Sequence, residues 1–575
     1  MPLASSPARR SPASRGAIVA ALLAGGALAA AAALLLSGGR PAAQVRAERF
    51  VAAWARNDYP AMHAELTAAG RRATPLREFI AEHRAAAATA TIVSLRPGKA
   101  DAPRDGVVSV PMTVRTRVFG PVRATLRLPL VGAGDDARID WSTHLTFPGV
   151  APGKRLERRM RLPRRADILA RDGKPLARGP DRTSALGTVA SSIVGELGPA
   201  PAERVARMRG RGFPADARVG TSGLERVFDE RLAGRPGGAL RAGGRILASS
   251  LPRAAPPVRT SIDPAVQRTA VEAQGVRLGG VAAVRPRTGE ILALSGFAFS
   301  GLQPPGSTFK IITLTGVLQA GLAGPKSTYP VQTSTTIEGV ELENASGESC
   351  GGSLRLSFAH SCNSVFAPLG AKLGAERLVK AAEAFGFNTD LGIPGAATST
   401  IPPASEIGDS LAVASSAIGQ GRVQATALQM ALVAATIAGR GRRPRLTLAR
   451  SARPRRVRTV DPATARLVGR YMEAVVSEGT GRGAQIGGVR IAGKTGTAEL
   501  RDTTQPGCIP SPEVPACPPA LPDDPTDTDA WFSAYAPAAA PRIAVGVLLV
   551  EAGAGGETAA PVAKQVLIAG LKATR

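Results

Sequence analysis

A serine and a lysine three residues apart, Ser307 and Lys310, directly follow the tripeptide Pro-Pro-Gly at 304–306. Proline and glycine in this arrangement mark the start of a helix, where backbone N–H groups have no partner within the helix. Residues three apart lie on one face of a helix. The segment therefore predicts a hydroxyl, an amine that can accept its proton and a local positive potential in one place, which are the parts of an activated acyl-transfer nucleophile.

Two further short motifs follow in order along the chain. Residues 361–363 read Ser-Cys-Asn, and residues 494–497 read Lys-Thr-Gly-Thr. Each motif taken alone also suits a simpler structure, such as a helix cap followed by an exposed lysine or a polar turn. The order Ser-x-x-Lys, Ser-x-Asn and Lys-Thr-Gly in one chain favours a single catalytic site instead.

Together the three motifs resemble those of the penicillin-binding protein and serine β-lactamase superfamily. The sequence from about Arg259 to the C-terminus is similar to a transpeptidase domain, and the segment that begins at Arg165 resembles the dimerisation domain of monofunctional, class B penicillin-binding proteins. The region from Phe50 to Pro148 is similar to the NTF2-like domain of low-affinity members of the methicillin-resistance type.

The resemblance implies a multidomain chain with an α/β transpeptidase domain, in which a sheet flanked by helices is joined to an all-helical region. An α+β pedestal and an NTF2-like α+β cone precede it. The predicted parts are a basic cytoplasmic tail (1–15), a transmembrane anchor (16–37), the NTF2-like domain (41–152), the dimerisation or pedestal domain (153–257) and the transpeptidase domain (258–575).

Local patterns add to this organisation. Apolar residues recur at helical spacing between 43 and 69, whereas residues 88–145 alternate as strands do. The basic stretch 153–165 is interpreted as a linker, and residues 278–298 as two strands joined by a turn. The Pro-rich segment 501–529 is predicted as a loop beside the site.

Charge and composition point to the cell envelope. The net charge is +28 over 575 residues, but the charges are spread along the chain and aromatics make up only 4%, which argues against a nucleic-acid partner. A basic protein also suits anionic lipid head groups and wall polymers. Residues 16–36 form an uncharged run preceded by three arginines, which predicts a single span with the N-terminus cytoplasmic and the catalytic domains outside. A cleaved signal peptide remains an alternative.

Four cysteines then lie where disulfides are permitted. Cys508 and Cys517 are predicted to form a local staple in the Pro-rich loop. Cys350 and Cys362 are a second candidate pair, although Cys362 also suits a small buried position. The four histidines are scattered and show no zinc pattern, so neither a metal nor a cofactor is expected.

The resemblance also implies roles for the motif residues. Ser307 is the nucleophile and Lys310 its base, while Ser361 passes the proton to the leaving amine. Asn363 holds Lys310 and the substrate amide, and Lys494 supplies a cation that lowers the pKa of Lys310. The remaining implied roles are carboxylate binding by Thr495 and Thr497, close approach of the substrate backbone at Gly496, and an oxyanion hole from the backbone N–H groups of Ser307 and Thr497.

The implied reaction is the cross-linking of peptidoglycan stem peptides that end in D-Ala-D-Ala. β-Lactams would acylate the same serine as covalent inhibitors, and a separate glycosyltransferase is expected as a partner. Two alternatives stay open: a D,D-carboxypeptidase or β-lactamase-like hydrolase, and a non-enzymatic penicillin sensor or scaffold of a wall-synthesis complex.

Overall fold

The computed structural model describes residues 40–450, 454–499 and 527–574, which form two compact units. The first unit comprises the described residues up to Pro163 with Glu203–Ala215 and Arg235–Arg253, and the second comprises Arg164–Ala202, Asp216–Gly234 and the chain from Ala254 onward. Two short stretches of the first unit therefore interrupt the sequence of the second.

Four of the sequence predictions lie wholly or mostly outside the described residues. These are the basic tail at 1–15, the anchor at 16–37, the Pro-rich loop at 501–529 and the disulfide between Cys508 and Cys517. The last two residues of the predicted loop, Thr528 and Asp529, belong to a strand instead. Within the part of the chain that is described, no helix is long and apolar enough to cross a membrane. The anchor and this disulfide therefore remain predictions from the sequence.

The N-terminal segment consists of helices followed by an antiparallel sheet, as the helical and alternating patterns predict. Asp58 and Thr67 cap two of the helices by accepting hydrogen bonds from the N–H groups of Ala61 and Gly70, respectively. The elements are α1 (Ala42–Ala55), α2 (Tyr59–Ala64), α3 (Ala68–Ala73), α4 (Leu76–Ala90), β1 (Ile92–Pro97), β2 (Val107–Thr116), β3 (Pro121–Val131) and β4 (Arg138–Ile139), and the strand order is β1-β2-β3-β4.

Aromatic side chains enclose a buried histidine in the core of this first unit. His83 is 1% exposed, and its ring packs against those of Trp54, Tyr59, Phe79 and Trp141. Neither ring nitrogen makes a hydrogen bond to a described residue. Burial without a partner disfavours the charged imidazolium and lowers the pKa of His83 to about 3.

The basic stretch 153–165 is not a linker, because its residues 156–161 form a strand. Its apolar residues Leu156 and Met160 are partly buried and pack against the core of the first unit. Glu157, Arg159 and Arg161 are exposed on the opposite face of the strand. The middle elements are β5 (Leu156–Arg161), β6 (Ile168–Leu169), β7 (Pro175–Ala177), α5 (Thr188–Val194), β8 (Leu197–Gly198), α6 (Ala202–Gly210), β9 (Val219–Gly220), α7 (Gly223–Val227), α8 (Asp229–Leu232), β10 (Gly237–Ala242), β11 (Arg245–Ser250) and β12 (Val258–Arg259). In the first unit the strand order is β11-β10-β5, and in the second unit β12-β6-β7 and β8-β9.

A five-stranded antiparallel sheet organises the second unit. Its strands are β13 (Gly279–Val284), β14 (Ile291–Gly296), β21 (Ala492–Glu499), β22 (Thr528–Ala536) and β23 (Ile543–Leu549), in the order β14-β13-β23-β22-β21. The two strands predicted between 278 and 298 are confirmed as β13 and β14. Successive residues of β23, such as Val547 and Leu548, enter different hydrophobic clusters, so both faces of the sheet are covered.

Helices cover both faces of this sheet. The remaining elements are α9 (Pro264–Gln274), α10 (Lys310–Gln319), β15 (Thr328–Gln332), β16 (Ser334–Ile337), β17 (Val340–Glu343), β18 (Cys350–Ser353), α11 (Leu354–Ala359), α12 (Asn363–Leu373), α13 (Ala375–Phe385), α14 (Ala404–Ile407), α15 (Ser410–Ala417), α16 (Ala427–Ala438), β19 (Arg442–Pro444), β20 (Arg456–Arg458), α17 (Pro462–Ser477) and α18 (Ala559–Ala573). Helix α16 packs directly on β23 at Gly546, where a Cβ atom would lie 2.0 Å from the carbonyl oxygen of Ala427.

The region after Ser307 is not all-helical as predicted. Strands β15–β18 form two small antiparallel pairs between α10 and α11. The pairs are short and mostly only partly buried, so their sequence lacks the run of apolar residues that marks a buried strand.

We predict that His83 makes the first unit less stable in acid. The unfolded chain binds a proton near pH 6.5 while the folded unit does not bind it until about pH 3, so stability should fall by about 1.4 kcal/mol per pH unit below 6.5. Two of the three tryptophans contact His83, so urea unfolding monitored by tryptophan fluorescence at several pH values measures the effect.

The variant His83→Leu should lose most of this dependence, because leucine fills a similar volume and does not titrate. His360→Leu serves as the matched control, since His360 is a partly exposed histidine of the second unit that pairs with Glu348. An unchanged pH dependence in His83→Leu would contradict the assignment.

Candidate active site

Ser307 lies in a single 3₁₀ turn, Gly306–Phe309, that leads directly into α10. The left-handed backbone at Gly306 (φ +49°) lets the chain turn tightly, and a Cβ atom there would lie 2.6 Å from the carbonyl oxygen of Thr497. The N–H of Gly306 donates to the carbonyl of Gly419 at 3.0 Å. The turn therefore sits between the loop at Gly419 and strand β21, and the helix start predicted after Pro-Pro-Gly is confirmed.

Lys310 is the first residue of α10 and lies one turn after Ser307. In a 3₁₀ turn residues three apart eclipse each other, so the serine and the lysine share a face. Ser307 is partly exposed, whereas Lys310 is 0% exposed. Its Nζ atom donates to the carbonyl oxygen of Ser361 and to Oδ1 of Asn363, both at 2.6 Å, and lies 3.3 Å from Oγ of Ser361.

Ser361 lies in the loop between α11 and α12, and Asn363 is the first residue of α12. Ser361 has a left-handed backbone (φ +63°), which is uncommon for a residue other than glycine and typical of functional sites. The amide of Asn363 donates to the carbonyl of Glu343 at 2.7 Å, so both ends of this side chain are held. Cys362, which lies between these two motif residues, forms a disulfide with Cys350. This is the second candidate pair of the sequence analysis.

Lys494 approaches Ser361 from the opposite side of the site. It lies on β21, an edge strand of the five-stranded sheet, and is 0% exposed. Its Nζ atom donates to Oγ of Ser361 at 2.8 Å and to the carbonyl of Thr495 at 3.1 Å. The hydroxyl of Ser361 therefore lies between the amines of Lys310 and Lys494.

No described carboxylate lies within ion-pairing distance of either lysine. Burial, and secondarily the charge of Lys494, hold the pKa of Lys310 well below its ordinary value. Burial lowers the pKa of Lys494 to about 7. Because two buried ammonium groups repel each other, the pair favours one neutral amine near neutral pH, and Lys310 is the group with the more strongly lowered pKa.

Thr495, Gly496 and Thr497 continue along the same edge strand. Thr495 is buried and Thr497 is partly exposed. A Cβ atom at Gly496 would lie 2.8 Å from the carbonyl oxygen of Pro305, so only glycine lets the strand approach the Ser307 turn this closely.

One contact of the site was not predicted from the sequence. The hydroxyl of Thr480 lies 2.6 Å from that of Thr495, and the N–H of Thr480 donates to the carbonyl of Ala359 at 3.2 Å. A Cβ atom at Gly479 would lie 2.1 Å from the same carbonyl. The tripeptide Gly-Thr-Gly at 479–481 was the available signal, but a lone threonine between glycines does not distinguish a site residue from a turn.

The structure thus brings Lys310, Ser361, Asn363 and Lys494 into direct hydrogen-bonded contact and sets Ser307 one turn from this group. Over the described ranges no three His, Cys, Asp or Glu side chains cluster as a metal site would require. The arrangement can supply a nucleophile on a partly exposed turn, a buried neutral amine and a shared hydroxyl, which are the needs of acyl transfer.

Comparison with known proteins agrees with this chemistry. A family model of the penicillin-binding protein transpeptidase domain matches residues 279–568, about half of the chain, and one of the penicillin-binding protein dimerisation domain matches residues 176–249. The peptidoglycan D,D-transpeptidase PbpA of Mycolicibacterium smegmatis is 34% identical over 420 residues, covering 61% of this chain and 80% of that protein.

Solved structures give the same result. The crystal structure of PBPA from Mycobacterium tuberculosis aligns with a TM-score of 0.53 and 27% identity, over 71% of this chain and 99% of that one. The imipenem acyl-enzyme complex of penicillin-binding protein A from M. tuberculosis aligns with a TM-score of 0.54 and 28% identity, over 71% of this chain and 98% of that one. The chain belongs to the penicillin-binding protein transpeptidase family.

Proposed function

We infer that the chain is a penicillin-binding D,D-transpeptidase that works through an acyl-enzyme on Ser307. The observation that carries this conclusion is the position of the Ser361 hydroxyl. It contacts the amines of two buried lysines, Lys310 and Lys494, and Lys310 lies one turn after Ser307. The similarity to PbpA enzymes and to a β-lactam acyl-enzyme complex supports the same reaction.

In the acylation step, Ser307 attacks the carbonyl between the two D-Ala residues of a stem peptide. The neutral amine of Lys310 accepts the hydroxyl proton, which the lowered pKa of this lysine makes possible. The tetrahedral intermediate then collapses, the C–N bond breaks and the terminal D-Ala leaves as an amine. Ser361, in contact with both lysines, passes a proton to that leaving amine.

The developing negative charge of the intermediate needs fixed donors. We assign this role to the backbone N–H groups of Ser307 and Thr497, because the Ser307 turn packs against β21 at the level of Thr497. One such donor contributes about 3–4 kcal/mol to the stabilisation of a transition state. The hydroxyls of Thr495 and Thr497, next to the cation of Lys494, suit the terminal carboxylate of the substrate.

In the second step an amine from another stem peptide attacks the acyl-enzyme. The new amide bond cross-links the two peptides, and the proton of the attacking amine returns through the Lys310–Ser361 pair to Ser307. A β-lactam opens on the same serine and leaves an acyl group in its place.

We further propose the arrangement of the rest of the chain. The uncharged run at 16–36 anchors the protein in the cell membrane, and the catalytic unit lies outside. The α1–α4 helices with the β1–β4 sheet suit the NTF2-like domain that the sequence predicts. A separate glycosyltransferase supplies the glycan strands, in line with the described segments before residue 258, which form a helix-and-sheet region and a segment similar to a dimerisation domain.

A fluorescent penicillin tests the nucleophile. Wild type should become covalently labelled, Ser307→Ala should not, and Ser300→Ala, which removes an exposed nearby serine, should label like wild type. Incubation with a synthetic stem peptide and an amine acceptor, analysed by mass spectrometry, should give the cross-linked product. Release of D-Ala by water alone would favour a carboxypeptidase, and an unlabelled wild type would favour a scaffold.

We predict that Lys494 contributes, after burial, to lowering the pH at which the site becomes active. Acylation requires neutral Lys310, so its rate should rise with pH on a limb well below the ordinary lysine range. The variant Lys494→Met removes the positive charge that lowers the pKa of Lys310, so this limb should move to higher pH. Stopped-flow acylation by a fluorescent penicillin from about pH 5 to pH 10 measures the limb.

Lys372→Met is the control for this pH profile, because it removes an exposed lysine of α12. Its profile should match that of wild type. A limb that stays in place or moves to lower pH in Lys494→Met would contradict the proposed coupling.

We predict that Thr480 positions the hydroxyl of Thr495. Thr480→Val leaves that hydroxyl without its partner at 2.6 Å, which should lower the second-order acylation rate constant about 2- to 10-fold, as expected for one hydrogen bond. The lower rate constant should come mainly from weaker binding of the carboxylate-bearing ligand. The first-order rate constant of the acylation step should change little.

Thr480→Ser keeps the hydroxyl and should restore the acylation rate constant. Equal losses in Thr480→Val and Thr480→Ser would mean that Thr480 acts only through packing.

A further inference from the structure

A cavity of about 430 Å³ opens in the second unit, lined by residues outside the candidate active site. Its size lies within the range of small-molecule sites, which is about 300–1,000 Å³. Apolar side chains that include Phe228, Ile393, Leu446 and Leu448 form part of the wall. The lining contains no aspartate or glutamate.

Three arginines share this wall: Arg231, Arg445 and Arg455. All three are exposed, and no carboxylate of the described residues lies within ion-pairing distance of them. The guanidinium group of Arg231 stacks over the ring of Phe228 at 5.3 Å from its centroid. Thr288 of the lining donates a hydrogen bond to the carboxylate of Glu290. That carboxylate does not neutralise the three arginines of the cavity, because it pairs with two arginines outside the lining.

The wall that carries these arginines is held in place by backbone hydrogen bonds. The N–H of Arg445 donates to the carbonyl of Arg455 at 2.8 Å, and the N–H of Thr447 donates to that of Gly289 at 2.9 Å. The carbonyl of Leu448 accepts from the N–H of Ser261 at 2.8 Å. The cavity is therefore preformed, and a ligand would not need to order the backbone around it.

The described sequence next to the cavity adds no compensating carboxylate. The stretches 442–450 and 454–458 together contain seven arginines and no acidic residue. Positive charge concentrated around a partly apolar cavity attracts anions and raises their local concentration.

We propose that this cavity binds a phosphate-bearing ligand with an apolar part. Guanidinium groups pair bidentately with phosphate oxygens, and three of them match the charge of about −1.5 to −2 on a phosphate monoester better than the single charge of a carboxylate. The apolar wall accepts the non-polar part of the same ligand. A free phosphorylated small molecule and a lipid headgroup present the same chemistry.

Calorimetric titration of the purified full chain tests the site and distinguishes the two sources. Inorganic pyrophosphate probes free phosphate, and monomeric dihexanoyl-phosphatidic acid, a phosphate monoester, probes a headgroup with its apolar part. We expect saturable binding at one site for both probes, and tighter binding of the lipid if the apolar wall contributes. Tighter binding of pyrophosphate would overturn the apolar part of the proposal.

The double variant Arg445→Gln/Arg455→Gln leaves the Arg231–Phe228 contact intact and should weaken binding at least ~10-fold. Arg268→Gln removes an exposed arginine of α9 that does not line the cavity and should bind like wild type. Thermal unfolding and penicillin labelling should be unchanged in both, because none of these residues belongs to the active site.

Three results would overturn the proposal. They are the absence of saturable binding for both phosphate probes, equal binding of citrate, and an equal loss of binding in Arg268→Gln. The last would mean that overall charge, and not this cavity, attracts the anion.

Discussion

The site depends on the burial of two amines around a single hydroxyl, with no carboxylate of the described residues within ion-pairing distance of either amine. An ammonium group removed from water and left without a counter-ion is costly, and two of them 2.8 and 3.3 Å from one oxygen also repel each other. The protein relieves both costs when Lys310 loses its proton. The same burial that would destabilise a structural lysine therefore supplies the base, and Asn363 and the carbonyl of Ser361 hold that base in place.

The rest of the second unit holds three distant segments at this hydroxyl. The sheet presents Lys494 on its edge strand, whose free edge can pair with an extended peptide. Two glycines let backbones meet without side chains between them: Gly306 faces Thr497, and Gly496 faces Pro305. The disulfide at Cys362 and the bonds of Asn363 fix the third segment, so that the left-handed Ser361 keeps its position.

The sequence predicts the motif residues of this site well because each lies in a short pattern with its own geometry, a turn into a helix or an edge strand with a glycine. Features that depend on distant partners are harder to predict. Strand β5 is difficult to recognise because its two apolar residues lie in a sequence rich in arginine. The pairing of Cys350 with Cys362 depends on how β18 approaches α12. Thr480 contacts Thr495 only after folding, because the two lie on either side of a loop.

The high arginine content has two different structural roles within the second unit. Some arginines are buried in acidic networks: Glu225 pairs with Arg165 and Arg182, and Arg165 also reaches Asp229. There each charge is compensated, and the arginine stabilises the local fold. The three arginines of the cavity have no such partner among the described residues, and they line one cavity although like charges repel. The paired arginines are cancelled by carboxylates and add nothing to the net charge of +28, whereas the arginines of the cavity belong to the excess positive charge and lie where an anion can reach them.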